Sequence, residues 1–163
     1  MPIRVQTEDF DLSSELAGLR AGKPAIGAIV SFVGVVRDMN DGLDVQAMEL
    51  EHYPGMTEKA LEDIVQQANR RWTLLDCLVI HRVGPLLPLD QIVLVAVASA
   101  HRGEAFAACE FIMDYLKTQA PFWKKEQTPQ GARWVDAREH DDKALDKWGI
   151  KSANSAAADK GVT

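Results

Sequence analysis

Cysteine is scarce in this sequence: Cys77 and Cys109 are the only two among 163 residues. Two cysteines make neither a disulfide framework nor a metal-binding pattern, and they suit a reducing cytoplasm. Long apolar runs are missing as well. The longest, Ala25–Val36 and Gln91–Ala100, are too short to cross a bilayer and read as buried strands. Met1-Pro2-Ile3-Arg4 is not a charged leader followed by an apolar stretch, so no secretory signal is expected. Positive charge is not in excess either. The 18 Lys and Arg face 24 Asp and Glu, for a net charge of −6, which argues against a general nucleic-acid binder but leaves room for a local cationic pocket. There is no Gly-rich phosphate loop, no metal-ligand spacing and no serine-nucleophile elbow. Neither a bound metal nor a cofactor is expected, and no internal repeat is present.

What remains is ample for a core. With 47% hydrophobic residues, residues 1–150 are expected to form a single globular domain. A strand at Ile3–Thr7 precedes a helix at Leu12–Arg20, with Asp11 as its cap. Ala25–Val36 and the alternating Val45–Tyr53 read as strands, separated by a polar turn over Arg37–Gly42. Pro54-Gly55 breaks the chain, and Thr57 is expected to cap a helix striped by Leu61, Ile64, Val65, Ala68 and Trp72. Strands Leu74–Val83 and Gln91–Ala100 flank a Gly84-Pro85 turn, and a second helix covers Gly103–Thr118. Phe122–Gln127 and Ala132–Ala137 bracket Thr128-Pro129-Gln130-Gly131 as a hairpin, and a last helix is expected near Asp141–Trp148. Lys151–Thr163 is rich in Ala, Ser and Gly, and it is expected to be a disordered tail. Mixed rather than alternating elements predict an α+β fold with a mixed or antiparallel sheet.

Cations stand where apolar elements end. Arg37 follows a strand, His101-Arg102 joins a strand to a helix, Lys117 closes that helix, and Lys124-Lys125 follow Phe122-Trp123. Strand ends and helix starts are where rigid elements aim functional side chains. The start of a helix is also an anion site, to which Arg102 adds a charge-assisted contact. Each residue has a plainer reading. Lys117 offsets a helix dipole, Lys124-Lys125 protects a strand edge, and His101 is structural. A self-sufficient sulfur-transfer enzyme would expose an activated cysteine. Cys77 lies inside a predicted strand and Cys109 on an apolar helix stripe, so the reactive group of any such chemistry would come from elsewhere.

The ordered blocks Phe32-Val33-Gly34-Val35-Val36-Arg37, Leu50-Glu51-His52-Tyr53-Pro54-Gly55-Met56, Ile80-His81-Arg82-Val83-Gly84, Ser99-Ala100-His101-Arg102, Phe111–Thr118 and Ala120-Pro121-Phe122-Trp123-Lys124-Lys125-Glu126 together resemble the molybdopterin synthase large, catalytic subunit family. The resemblance runs from about Ala25 to Trp148. It implies an α/β hammerhead-like domain with an added antiparallel β subdomain. It also implies a homodimer at the core of a heterotetramer, with a small ubiquitin-like sulfur-carrier subunit at each end. The carrier's C-terminal Gly-Gly bears a thiocarboxylate whose sulfur converts cyclic pyranopterin monophosphate into the dithiolene of molybdopterin. This chain ends Lys160-Gly161-Val162-Thr163, unlike that carrier.

By motif, Lys117 and Lys124 match the family's active-site lysines. Arg37, His101 and Arg102 match its pocket for the anionic pterin, with Val35, Val36, Lys125 and Glu126 close by. Arginine often stands at the position of Lys125 in relatives. A lysine crowded by cations has its charged form disfavoured and can act as acid or base. The resemblance therefore implies that Lys117 meets the thiocarboxylate while Lys124 positions the pterin. A non-catalytic adaptor for the C-terminus of a ubiquitin-like protein is the alternative.

Overall fold

The computed structural model describes residues 2–40, 42–135 and 144–149. In chain order the elements are β1 (Ile3–Gln6), α1 (Leu12–Arg20), β2 (Ala28–Val35), β3 (Met39–Asn40), β4 (Leu43–Asp44), β5 (Ala47–His52), α2 (Met56–Arg71), β6 (Asp76–Arg82), β7 (Gly84–Leu86), β8 (Gln91–Ser99), α3 (Arg102–Gln119), β9 (Phe122–Thr128) and β10 (Gly131–Val135). They build two four-stranded sheets, ordered β1-β6-β8-β2 and β10-β9-β5-β7, and a small β3-β4 pair. In the first sheet β1 runs parallel to β6 and the other pairings are antiparallel. The second is antiparallel throughout. This is the predicted α+β class, with a separate antiparallel sheet.

Helices cover both faces of the first sheet, which explains why β6 and β8 read as unbroken apolar runs rather than alternating ones. Along β8, Val93, Val95 and Val97 pack beneath α2 and α3. The intervening Leu94, Ala96 and Ala98 pack beneath α1 with Phe10 and Leu19. Phe111 of α3 is fully buried and meets Trp72 and Trp148 edge-on at 5.5 Å each. That contact anchors the described part of the expected last helix; its first turn and the 151–163 tail lie outside the described residues.

Two local expectations are corrected. The cap of α2 is Gly55, at φ 83°, whose N–H donates to the Glu58 carboxylate at 2.6 Å. Thr57 lies inside the first turn, fully buried, with its hydroxyl donating to the Tyr53 carbonyl at 2.8 Å. Gly84-Pro85 is not a simple turn but the start of strand β7, which pairs with β5. Gly84 adopts φ 83°, a left-handed conformation open to glycine, and there the chain leaves the first sheet for the second. Pro85 is tolerated because β7 is an edge strand.

Candidate active site

Three chain segments end at the seam between the two sheets. Strand β2 runs out at Val35 and delivers Val36 and Arg37. Helix α3 carries Lys117 in its last turn, and Ala120-Pro121 breaks the helix before β9 carries Lys124 and Glu126. These segments wall a cleft of about 790 Å³, completed by Met48 and Leu50 of β5, His81 of β6, and Asn40. That size suits a small-molecule ligand. Of the residues singled out in the sequence, Val35, Val36, Arg37, Lys117, Lys124 and Glu126 thus line one cavity.

Glu126 is the buried acid of this site, 3% exposed. A carboxylate is kept ionised in such a place only if it is paired and hydrogen-bonded. Asn40 Nδ2 donates to its Oε1 at 2.7 Å, and Arg133 Nη2 donates to its Oε2 at 3.1 Å. Lys124 Nζ stands farther off, 3.8 Å from Oε1. Because a carboxylate accepts only, the Asn40 contact orients that amide and turns its Oδ1 away; Oδ1 and Arg133 Nε find no hydrogen-bond partner among the protein groups described.

His81 forms part of the wall opposite. Its ring stacks on Phe122, with centroids 3.7 Å apart and planes 15° from parallel. Nδ1 donates to the Arg82 carbonyl at 2.8 Å, which leaves Nε2 as the ring's acceptor. Burial pushes its pKa down to about 4; the hydrogen bond to the Arg82 carbonyl opposes this, and the electrostatic influence of His52 and Lys117 adds to it. A neutral imidazole therefore faces this cationic cleft at neutral pH.

Three expected residues lie elsewhere. Lys125 sits on the opposite face of β9 from Lys124 and Glu126, as period-two alternation requires. It pairs across the sheet with Glu49 and Trp134 and holds its ammonium 5.7 Å from the Trp134 ring. His101 and Arg102 line a separate hollow with Gly27, Ala28, Ala100 and Gly103. They begin α3, whereas Lys117 is near its end. At 1.5 Å per residue the fifteen-residue separation spans about 22 Å, so one chain does not bring all the cations together.

Gly27 sets the approach to that second hollow. A Cβ there would lie 2.1 Å from the Ala100 carbonyl oxygen, and only backbone displacement could relieve the clash. Gly27→Ala should lower stability by about 1–3 kcal/mol, measured by urea denaturation. A variant of unchanged stability would show the contact to be unimportant.

Neither cysteine is available for chemistry. Cys77 is fully buried with its thiol pushed up to about 12, chiefly by desolvation, and Cys109 is pushed up to about 11 for the same reason. Among the described residues, no group of three or more His, Cys, Asp and Glu is placed to hold a metal ion, and no helix is long and apolar enough to cross a membrane. The sequence reading missed Asn40, His81 and Arg133 as site residues. His81 carried a signal, as the one imidazole closing the apolar run Cys77-Leu78-Val79-Ile80; the other two are placed by contacts spanning 86 and 93 residues.

Known proteins share this fold and much of this sequence. The family model described as MoaE protein matches residues 5–119. A molybdopterin synthase catalytic subunit from Ralstonia nicotianae is 72% identical over 156 residues, covering 96% of this chain and 89% of the relative. The solved structure of a molybdopterin biosynthesis MoaE protein from Burkholderia ambifaria superposes with a TM-score of 0.79 at 65% identity, covering 91% of this chain and 98% of that one. Molybdopterin synthase from Staphylococcus aureus superposes with a TM-score of 0.76 at 32% identity, covering 82% and 96%. With the family model spanning most of the sequence and relatives matched over nearly their whole length, the chain belongs to the MoaE family.

Proposed function

We infer that this chain is the catalytic subunit of molybdopterin synthase, a sulfurtransferase of molybdenum cofactor biosynthesis. Its sulfur comes from the C-terminal thiocarboxylate of a small ubiquitin-like subunit, and its substrate is cyclic pyranopterin monophosphate. One observation carries this reading beyond family membership. A cleft rich in cations holds Arg37, Lys117 and Lys124, while both thiols are buried and held protonated. Such a site receives an anion and leaves the sulfur nucleophile to a partner. Residues 1–150 act as one catalytic-subunit domain, and two buried free thiols fit a cytoplasmic setting.

Roles follow from position. Arginine stays charged, so Arg37 and Arg102 bind the anionic pterin permanently, with His101 as a further binding contact. Lys117, exposed at the cleft, meets the thiocarboxylate and assists sulfur attack and release of the carboxylate left behind. Lys124 positions the pterin and moves protons as the cyclic phosphate opens. Val35 and Val36 flank the ring, Glu126 holds the lysine side of the cleft, and Lys125 is left out of the contact set.

The distance between Arg102 and Lys117 is bridged by a second copy of the chain. Strand β2 is an edge of its sheet, with Phe32 39% and Val35 43% exposed and Phe106 of α3 60% exposed beside it. Exposed apolar side chains on an unpaired edge mark an association surface. A two-fold axis near the middle of β2 would carry the Ala28 end of one protomer, with His101-Arg102, to the Val35 end of its partner, with Arg37 and Lys117. Mixed dimers of Lys117→Ala and Arg102→Ala chains should then recover about a quarter of wild-type activity, since half the dimers are mixed and each has one intact site. No activity beyond the parental variants would place each site within one chain.

The function is tested by mixing the chain with a thiocarboxylated small subunit and cyclic pyranopterin monophosphate, and following molybdopterin by mass spectrometry. Product that requires the thiocarboxylate is expected. A stable complex without product would instead favour a non-catalytic adaptor.

A further inference from the structure

Arg133 has no role in the reaction as described so far, yet its placement is specific. Directly opposite Glu126 in the β9–β10 register, it uses one nitrogen for two tasks. Nη2 donates to Glu126 Oε2 at 3.1 Å and to the backbone carbonyl of Asn40 at 2.8 Å. The Asn40 side chain closes the triangle by donating to Glu126 Oε1 at 2.7 Å. The segment so tied is Arg37–Asn40, which carries the anion-binding Arg37. The strand it is tied to carries Lys124. Two hydrogen bonds at ordinary length therefore hold Glu126, while the Lys124 ammonium stays at 3.8 Å, the long end of ion-pair range.

We propose that Arg133 is a positioning residue for sulfur transfer: it clamps the Arg37–Asn40 segment against β9 and occupies the Glu126 carboxylate, onto which the Lys124 ammonium would otherwise close, away from the substrate. The charges facing that carboxylate are Arg133 from β10 and Lys124 from β9, and Arg37 from the end of β2 and Lys117 from α3 line the same cleft. Arg133 also grips a backbone carbonyl, that of Asn40. It acts through Lys124 and Arg37 and touches no reacting atom. The assignment rests on the function inferred above.

The experiment combines steady-state kinetics in the reconstituted assay with amide hydrogen exchange, on Arg133→Gln, Arg133→Lys, Glu126→Gln and the Arg133→Gln/Glu126→Gln double variant. Arg133→Gln should raise KM for the pterin and lower kcat, each about tenfold. It should also speed exchange at the Met39, Asn40 and Val45 amides by about tenfold. Arg133→Lys, which keeps the charge for Glu126 on a compact ammonium that does not reproduce the Nη2 position against the Asn40 carbonyl, should recover kcat more than KM. The double variant should regain the kcat of Glu126→Gln, because no carboxylate remains to draw the lysine away, and should keep the raised KM. If Arg133→Gln does not fold, the comparison of the double variant with Glu126→Gln still isolates the contact to the Asn40 carbonyl. Unchanged KM and unchanged exchange there would overturn the clamp. Multiplicative losses of kcat in the double variant would overturn the link through Glu126. Wild-type protein that makes no product would refute the functional reading, and the exchange measurement would still judge the clamp.

Discussion

Lys117→Ala is expected to slow single-turnover formation of the dithiolene by about 10²–10⁴-fold, the range for losing a positioned proton-transfer group. Lys117 reaches the cleft from the last turn of α3 and is exposed there. Truncating it creates no core cavity, so its thermal unfolding should move little. The small partner should still bind, because removing one exposed cation does not dismantle the cleft. Lys117→Arg separates two contributions. It keeps the charge that attracts the thiocarboxylate but cannot give up a proton, so binding should survive and turnover should not. A Lys117→Ala rate within threefold of wild type, with saturating partner, would remove this residue from the chemistry.

Acid should weaken the fold through His81. In the unfolded chain an imidazole titrates near 6.5, whereas in the native protein burial pushes His81 down to about 4. Between those values the unfolded state binds a proton that the native state refuses. Stability therefore rises with pH across the window, and is lost as pH falls through it. At about 1.4 kcal/mol per pH unit the whole window amounts to about 3 kcal/mol. His81→Gln keeps an N–H for the Arg82 carbonyl but has nothing to titrate. Urea unfolding of both proteins at pH 7, 5.5 and 4 should show wild type losing about 3 kcal/mol more than the variant. Parallel curves would mean that the native imidazole takes up its proton as readily as the unfolded one.

The periodic elements were the legible part of the fold. Helix α3 announces itself through Cys109, Ile112, Met113 and Leu116, all buried as their spacing requires, and the β9–β10 hairpin through Pro129-Gln130-Gly131, where Gly131 takes φ 108°. Gly84-Pro85 misled because glycine and proline also serve where a chain changes sheets along an edge strand. Motif order brought Arg37, Lys117 and Lys124 forward, and the structure lines one cleft with them. Adjacency in sequence misled at Lys125, although strict alternation along β9 already sends it to the other face. The Asn40–Glu126–Arg133 contacts had no local signature. Asn40 sits in a two-residue strand after a polar turn and Arg133 in an exposed-looking hairpin, and only the tertiary fold shows that they meet.

The burial of Cys77 and Cys109 has a consequence under oxidative stress. Peroxide and disulfides attack thiolates that are exposed, climbing from sulfenic to irreversible sulfonic acids. A protein whose two thiols are inaccessible and held protonated offers such oxidants no thiolate to attack. Oxidation in a system built this way falls on the sulfur that the carrier brings, while the catalyst keeps both of its own thiols.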